Sequence, residues 1–146
     1  MNLLRPEFVF AYSREMSRYV FEWQFIPVEV STMSSLETSD QAAAAVAKAP
    51  RVSLKDIEAE IDCRYDFTAG KAIHATLKPE TMPESLRVLS ICILVMRNGF
   101  TVIGKSAPAS ADNYDMELGI QFAYEDAVRQ LWPLMGYALR EKLAGA

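Results

Sequence analysis

The sequence predicts an α+β fold: an antiparallel β-hairpin or sheet packed against a C-terminal helix pair, with an extra aromatic segment at the N-terminus. Three observations carry that reading. Asn98-Gly99 sits between two strand-like runs, Leu86–Arg97 and Phe100–Ser106, and Asn-Gly best tolerates positive φ at both central positions of a two-residue type I′ turn. The first run, LRVLSICILVMR, is apolar on both faces. Helical spacing then extends from about Tyr114 to Trp132, and again from Pro133 to Leu143.

Taken in order, residues 1–32 carry aromatics at every second position: Phe8, Phe10, Tyr12, then Tyr19, Phe21, Trp23 and Phe25. Period two argues for strands, although residues 14–23 also fit a helix. Residues 33–50 are rich in Ser and Ala and lack an apolar period. They read as a linker with a turn of helix in the alanine run. Met33 opens this stretch, so residues 1–32 read as an extension and residues 51–146 as the compact domain. Within that domain Ser53 is an N-cap with Asp56 as its capping-box partner. Leu54, Ile57 and Ile61 make the following segment, to about Asp62, a short amphipathic helix. Residues 63–70 are mixed aromatic and polar. Ala69–Leu77 is a second short helix, and Lys78–Ser85 a loop with two prolines.

In the strand Leu86–Arg97, Leu89, Ile91, Ile93 and Val95 face one way and Val88, Cys92, Leu94 and Met96 the other. A strand open to water on one side alternates more cleanly, so both faces call for cover: the long helix on one, a partner subunit on the other. In that helix Gly119, Ala123 and Ala127 lie four apart and share a face. A mid-helix glycine costs about 1 kcal/mol against alanine, which tight packing or a close ligand explains. Pro133 suits the first turn of a new helix, so a kink or break is expected at Trp132-Pro133.

The chain has 146 residues, 51% hydrophobic and 23% charged, with a net charge of −4. One domain with a substantial core follows. An acidic balance argues against duplex nucleic acid as the partner, because phosphate binding wants a basic surface. Cys63 and Cys92 form no C-x-x-C pair and read as buried thiols in a reducing compartment. The start, MNLLRPEF, does not read as a secretory leader. No run approaches the ~18 apolar residues of a membrane span. A cytoplasmic protein is expected.

Chemistry-bearing motifs are sparse. The single histidine, His74, reads as a surface or capping residue. No metal-ligand spacing, nucleophile elbow or phosphate-binding P-loop occurs, and no cofactor is implied. Asp112, Asp115 and Glu117 cluster where acids favour a helix dipole. What the central stretch offers is binding. The Lys105–Asn113 loop leads from a strand end to a helix N-terminus, where backbone N–H groups, Lys105 and the Ser106 hydroxyl can hold an anion. Phe100, Tyr114 and Tyr124 are candidates to stack a base. Asn113 joins them at the helix start, and Arg129, about one turn beyond Tyr124, is a candidate for a pyrophosphate.

The runs Asn98-Gly99-Phe100-Thr101-Val102, Gly104-Lys105-Ser106 and Leu118-Gly119 with Ala123-Tyr124 and Ala127 resemble a family of small phage and prophage proteins. The resemblance covers about residues 41–145. That family is in turn similar to the first class of Thoeris anti-defence proteins, which act as sponges. The resemblance implies a non-enzymatic protein of the infected bacterial cytoplasm. It would sequester the cyclic ADP-ribose isomer made by an immune TIR enzyme, and in some members cyclic oligonucleotides at a separate site. It also implies a homo-oligomer, a dimer or a hexamer built from dimers, with ligands at subunit interfaces. The alternative is a phage structural or host-protein interaction module that forms a homo-oligomer and binds no small ligand.

Overall fold

The computed structural model describes residues 34–145; the aromatic segment 1–32 lies outside them. In chain order the elements are α1 (Ser35–Val46), α2 (Leu54–Glu60), β1 (Ile61–Thr68), α3 (Ala69–Leu77), α4 (Glu84–Arg87), β2 (Ser90–Met96), β3 (Thr101–Ser106), a 3₁₀ turn (Ala111–Asn113) and α5 (Met116–Ala144). The class is α+β: one antiparallel sheet of order β1-β2-β3, with α5 packed on one face. The core lies between them. Cys92 and Leu94 of β2 meet Ala123, Ala127 and Val128 of α5, all 0% exposed.

The hairpin turn differs from the two-residue type I′ expectation. Gly99 N–H donates to the Met96 carbonyl at 2.8 Å, and Met96 N–H to the Phe100 carbonyl at 2.8 Å. The loop is therefore three residues, Arg97 to Gly99. Only Gly99 has positive φ, at 82°, the pattern of a tight turn closed by a glycine bulge. Asn98 acts through its side chain, whose Oδ1 accepts from Phe100 N–H at 2.9 Å. The extra loop residue shifts the pairing by one, so that Cys92 faces Gly104 and Leu94 faces Val102. A two-residue loop would place Lys105 opposite Cys92 on the core side. The three-residue loop instead gives α5 a glycine to rest on.

Four further boundaries differ from the sequence reading. Residues 84–87 form a helical turn, so the central strand starts at Ser90 rather than Leu86. Residues 61–68 form a third strand, paired to β2 with an irregularity between Ile61 and Cys63. Its alternation is hidden because Arg64 and Asp66 sit on the helix side as an ion pair at 2.7 Å. Residues 35–46, read within a linker, form a 12-residue helix with a Ser34–Glu37 capping box. That helix is anchored by Leu36, 3% exposed in the core. The Asp40 carboxylate adds a second tie, accepting from Arg51 at 2.5 Å and from Leu54 N–H at 3.1 Å. One apolar anchor and polar ties need no apolar period. Lastly, α5 runs unbroken through Pro133. The missing proline N–H costs the helix one bond. Just before it Leu131 is 2% exposed and the Trp132 indole N–H donates to the Val52 carbonyl at 3.1 Å, contacts that hold the helix in line.

β3 is an edge strand whose outer backbone groups are occupied by α5. Asp126 Oδ2 accepts from Lys105 N–H at 3.0 Å, and Gln130 Nε2 donates to the Ile103 carbonyl at 3.0 Å. The sheet face away from α5 carries Tyr65, Ile93 and Ile103 in one row. Tyr65 is 56% and Ile103 57% exposed, and Ile91, Ile93 and Val95 are half-buried. Among the described residues no helix is long and apolar enough to cross a membrane.

Candidate functional site

The structure separates the residues that the sequence grouped. Ser106, Asn113 and Tyr114 line one hollow of about 210 Å³ with Gly119 and Phe122. Lys105 is not among them. It follows Gly104 along β3, so its side chain points to the opposite, exposed face of the sheet. Phe100 lies at the hairpin tip, on the rim of a different cleft of about 690 Å³ floored by Met96, Leu131 and Met135. Tyr124 is covered by the Arg64 guanidinium, 4.2 Å above its ring, and its hydroxyl reaches Glu58 at 3.5 Å. Burial, with the Glu58 carboxylate adding, pushes that phenol up to about 12. Arg129 pairs with the buried Glu125 at 2.9 Å and donates to Ser35 Oγ at 2.5 Å. Ten residues of helix, about 15 Å, separate it from Gly119 beside the Tyr114 hollow.

The helix N-terminus offered as an anion site is occupied by the protein itself. Asp115 is the N-cap of α5, and its Oδ1 accepts from Leu118 N–H at 2.9 Å. The acid cluster at this end serves the helix, as its position suggested. A carboxylate there leaves little attraction for a phosphate.

Tyr114 does stand at a built place. Its hydroxyl shares a hydrogen bond with Ser90 Oγ at 3.2 Å, and Ser90 is 0% exposed. A Cβ on Gly119 would lie 2.5 Å from that Oγ and 3.2 Å from Tyr114 Cε2. The mid-helix glycine therefore seats Ser90 and Tyr114 against α5. Tyr114 also walls a second cleft, of about 550 Å³, between α3, α4 and the start of α5. Lys71, His74 and Arg87 line this cleft, with Glu80 as the acid among its lining residues. Sequence reasoning missed Lys71 and Arg87 and set His74 aside. The i, i+3 spacing of Lys71 and His74 on a predicted helix was a usable signal; the approach of Arg87 is a product of topology.

Residues 52–143 match the model of the phage protein (N4 Gp49/phage Sf6 gene 66) family. The chain belongs to this family. No curated protein and no solved structure matches it. The family span holds the whole sheet, α5 to Leu143 and both hollows around Tyr114, whereas α1 precedes it.

Among the described residues no group of three or more His, Cys, Asp or Glu could hold a metal. Cys92 is buried at the sheet–helix interface, where burial, with Asp66 adding, pushes its thiol up to about 12. Cys63 is half-buried and free on the outer sheet face, so only one of the two thiols meets the expectation of burial.

Proposed function

We propose that this phage-family protein binds a cyclic nucleotide immune signal and holds it without cleaving it. The ligand class is the cyclic ADP-ribose isomer of the Thoeris resemblance, with cyclic oligonucleotides as further members. The observation that carries the reading is Tyr114, an aromatic fixed by Ser90 and Gly119 between two adjoining hollows. The larger, at about 550 Å³, lies within the roughly 300–1,000 Å³ typical of small-ligand sites. A sponge needs affinity and slow release rather than complementarity to a transition state. One stacked base contributes about 1–3 kcal/mol. Charge-assisted bonds to phosphate add about 1.5–3 kcal/mol each. A few such contacts reach the roughly 12 kcal/mol of nanomolar binding. The working form under this proposal is a homo-oligomer in the infected cell.

Replacing the ring tests the site. Tyr114→Leu should weaken binding of the cyclic ADP-ribose isomer about ten- to a hundredfold in calorimetric titration, as loss of a stacked base implies. Tyr114→Phe keeps the ring and should stay within about threefold. Equal loss in both variants, or no loss in the leucine variant, would remove Tyr114 from the site.

A second reading, an interaction module without a small ligand, is favoured by the sheet face of Tyr65, Ile93 and Ile103, which is open among the described residues. Light scattering bears on both: Ile103→Glu should reduce the oligomer's mass if this face joins copies. Unchanged mass would place the contact elsewhere.

A further inference from the structure

We infer that the cleft between α3 and α4 is an anion site that takes the phosphate or pyrophosphate group of a nucleotide-class ligand. The inference rests on the sequestration reading only for the identity of the nucleotide. The site itself stands on geometry.

Lys71 and His74 lie one turn apart on α3, and Arg87 ends α4; all three line the same cleft of about 550 Å³. Among the described residues neither Lys71 nor Arg87 has a carboxylate partner within ion-pair distance. Arg51, Arg64 and Arg129 are already committed, to Asp40, Asp66 and Glu125; what sets Lys71 and Arg87 apart from the remaining cations is that they share one cleft with His74. In a chain of net charge −4, unpaired cations gathered at one concavity are a place where an anion gains most and the protein loses least.

The fold also assembles this mouth deliberately. Gly70 is the second residue of α3, and a Cβ there would lie 3.0 Å from Arg87 Cα and 3.1 Å from both the Leu86 carbonyl oxygen and Met82 Sδ. Glycine there lets the first turn of α3 touch α4, which brings Lys71 and Arg87 to one rim. Thr68 Oγ1 caps that turn by accepting from Lys71 N–H at 3.3 Å, which fixes the backbone from which the lysine projects. On the far side Tyr114 is held by Ser90 and Gly119. A ligand with a phosphate between Lys71 and Arg87 thus has an aromatic wall beside it. The hollow of Ser106 and Asn113 lies beyond the same ring. Cations on one side and a ring between two hollows suit a phosphate joined to a base or ribose better than a free inorganic ion.

The full-length chain is titrated calorimetrically with inorganic pyrophosphate, with ADP and with the cyclic ADP-ribose isomer. Lys71→Gln and Arg87→Gln should each weaken pyrophosphate binding about tenfold or more. Arg87→Lys should retain most of it, and Arg140→Gln, on α5 away from the cleft, should leave it unchanged. Binding should also fall between about 50 and about 200 mM salt. ADP binding more tightly than pyrophosphate supports the nucleotide class; pyrophosphate binding at least as tightly overturns that part. Pyrophosphate bound through Lys71 and Arg87 but not displaced by the cyclic ADP-ribose isomer supports the anion site and removes the sequestration reading. No pyrophosphate binding, or losses no larger than in Arg140→Gln, overturns the inference. Melting temperatures of the variants within about 2 °C of the parent chain establish that they are folded.

Discussion

Gly104→Ala adds a single methyl group and should cost the protein much of its stability. The Cβ would lie 1.9 Å from the Ala123 carbonyl oxygen, 2.4 Å from Ala127 N and 2.8 Å from Ala127 Cβ. Carbon–oxygen contacts settle near about 3.3 Å, so α5 would have to retreat by more than about 1 Å at its closest approach to β3. Overpacking of an interior costs about 1–3 kcal/mol, more when rigid groups must move. The obstacles here are helix backbone and two alanines that are 0% exposed. The upper end, about 3 kcal/mol, applies, which for a domain of this size lowers Tm by roughly 10–15 °C. A thermal melt followed by circular dichroism, with a urea titration beside it, reads this directly. Gly136→Ala is the control of opposite sign. It lies in the same helix with nothing within 4 Å of its would-be Cβ, and should gain up to about 1 kcal/mol. A Gly104→Ala melt within about 2 °C of the parent would refute both the close approach and the three-residue hairpin register that creates it.

Arg129→Ala should lower stability by roughly 1–2 kcal/mol, more than a surface pair, because it strips a cation from the buried Glu125; ligand affinity should stay near that of the parent, and a selective affinity loss with unchanged Tm would return Arg129 to the site. Ellman's reagent near about pH 8 should titrate Cys63 quickly and Cys92 only after denaturant, since burial holds the Cys92 thiol up at about 12; a Cys63→Ser chain that still reacts quickly would contradict this. A chain starting at Met33 keeps the Ser34–Glu37 capping box and should melt with the full chain, whereas a fall of more than about 5 °C would make residues 1–32 part of the folded core.

How much of this was legible in the sequence depended on whether the signal was local. Ser53–Asp56 capping and the helix Ala69–Leu77 were readable because both ends announce themselves in neighbouring residues. The helix-facing set Cys92, Leu94 and Met96 followed from alternation alone. The hairpin loop was misjudged by one residue because Asn98-Gly99 satisfies two turn geometries. The choice between them lies in how Gly104 meets Ala123 and Ala127, a contact across some twenty residues. β1 was missed since Arg64 and Asp66 place charge on its inner face, and their pairing is visible only in three dimensions. The kink at Pro133 was expected from a local rule that Leu131 and Trp132 override through tertiary contacts. For the site, Ser106, Asn113 and Tyr114 come together as neighbours in one loop, whereas Lys105, Tyr124 and Arg129 are drawn to other partners. Strand alternation puts Lys105 on the face opposite Gly104, and the hairpin register decides which of the two meets the core.

The most direct test of the account is to mix the purified chain with the cyclic ADP-ribose isomer, remove unbound ligand, hold the complex for hours, then heat it and identify what is released. Sequestration predicts saturable uptake at sub-micromolar ligand and quantitative recovery of the unchanged molecule. No uptake at tens of micromolar, or recovery of a linear or hydrolysed product, would contradict it.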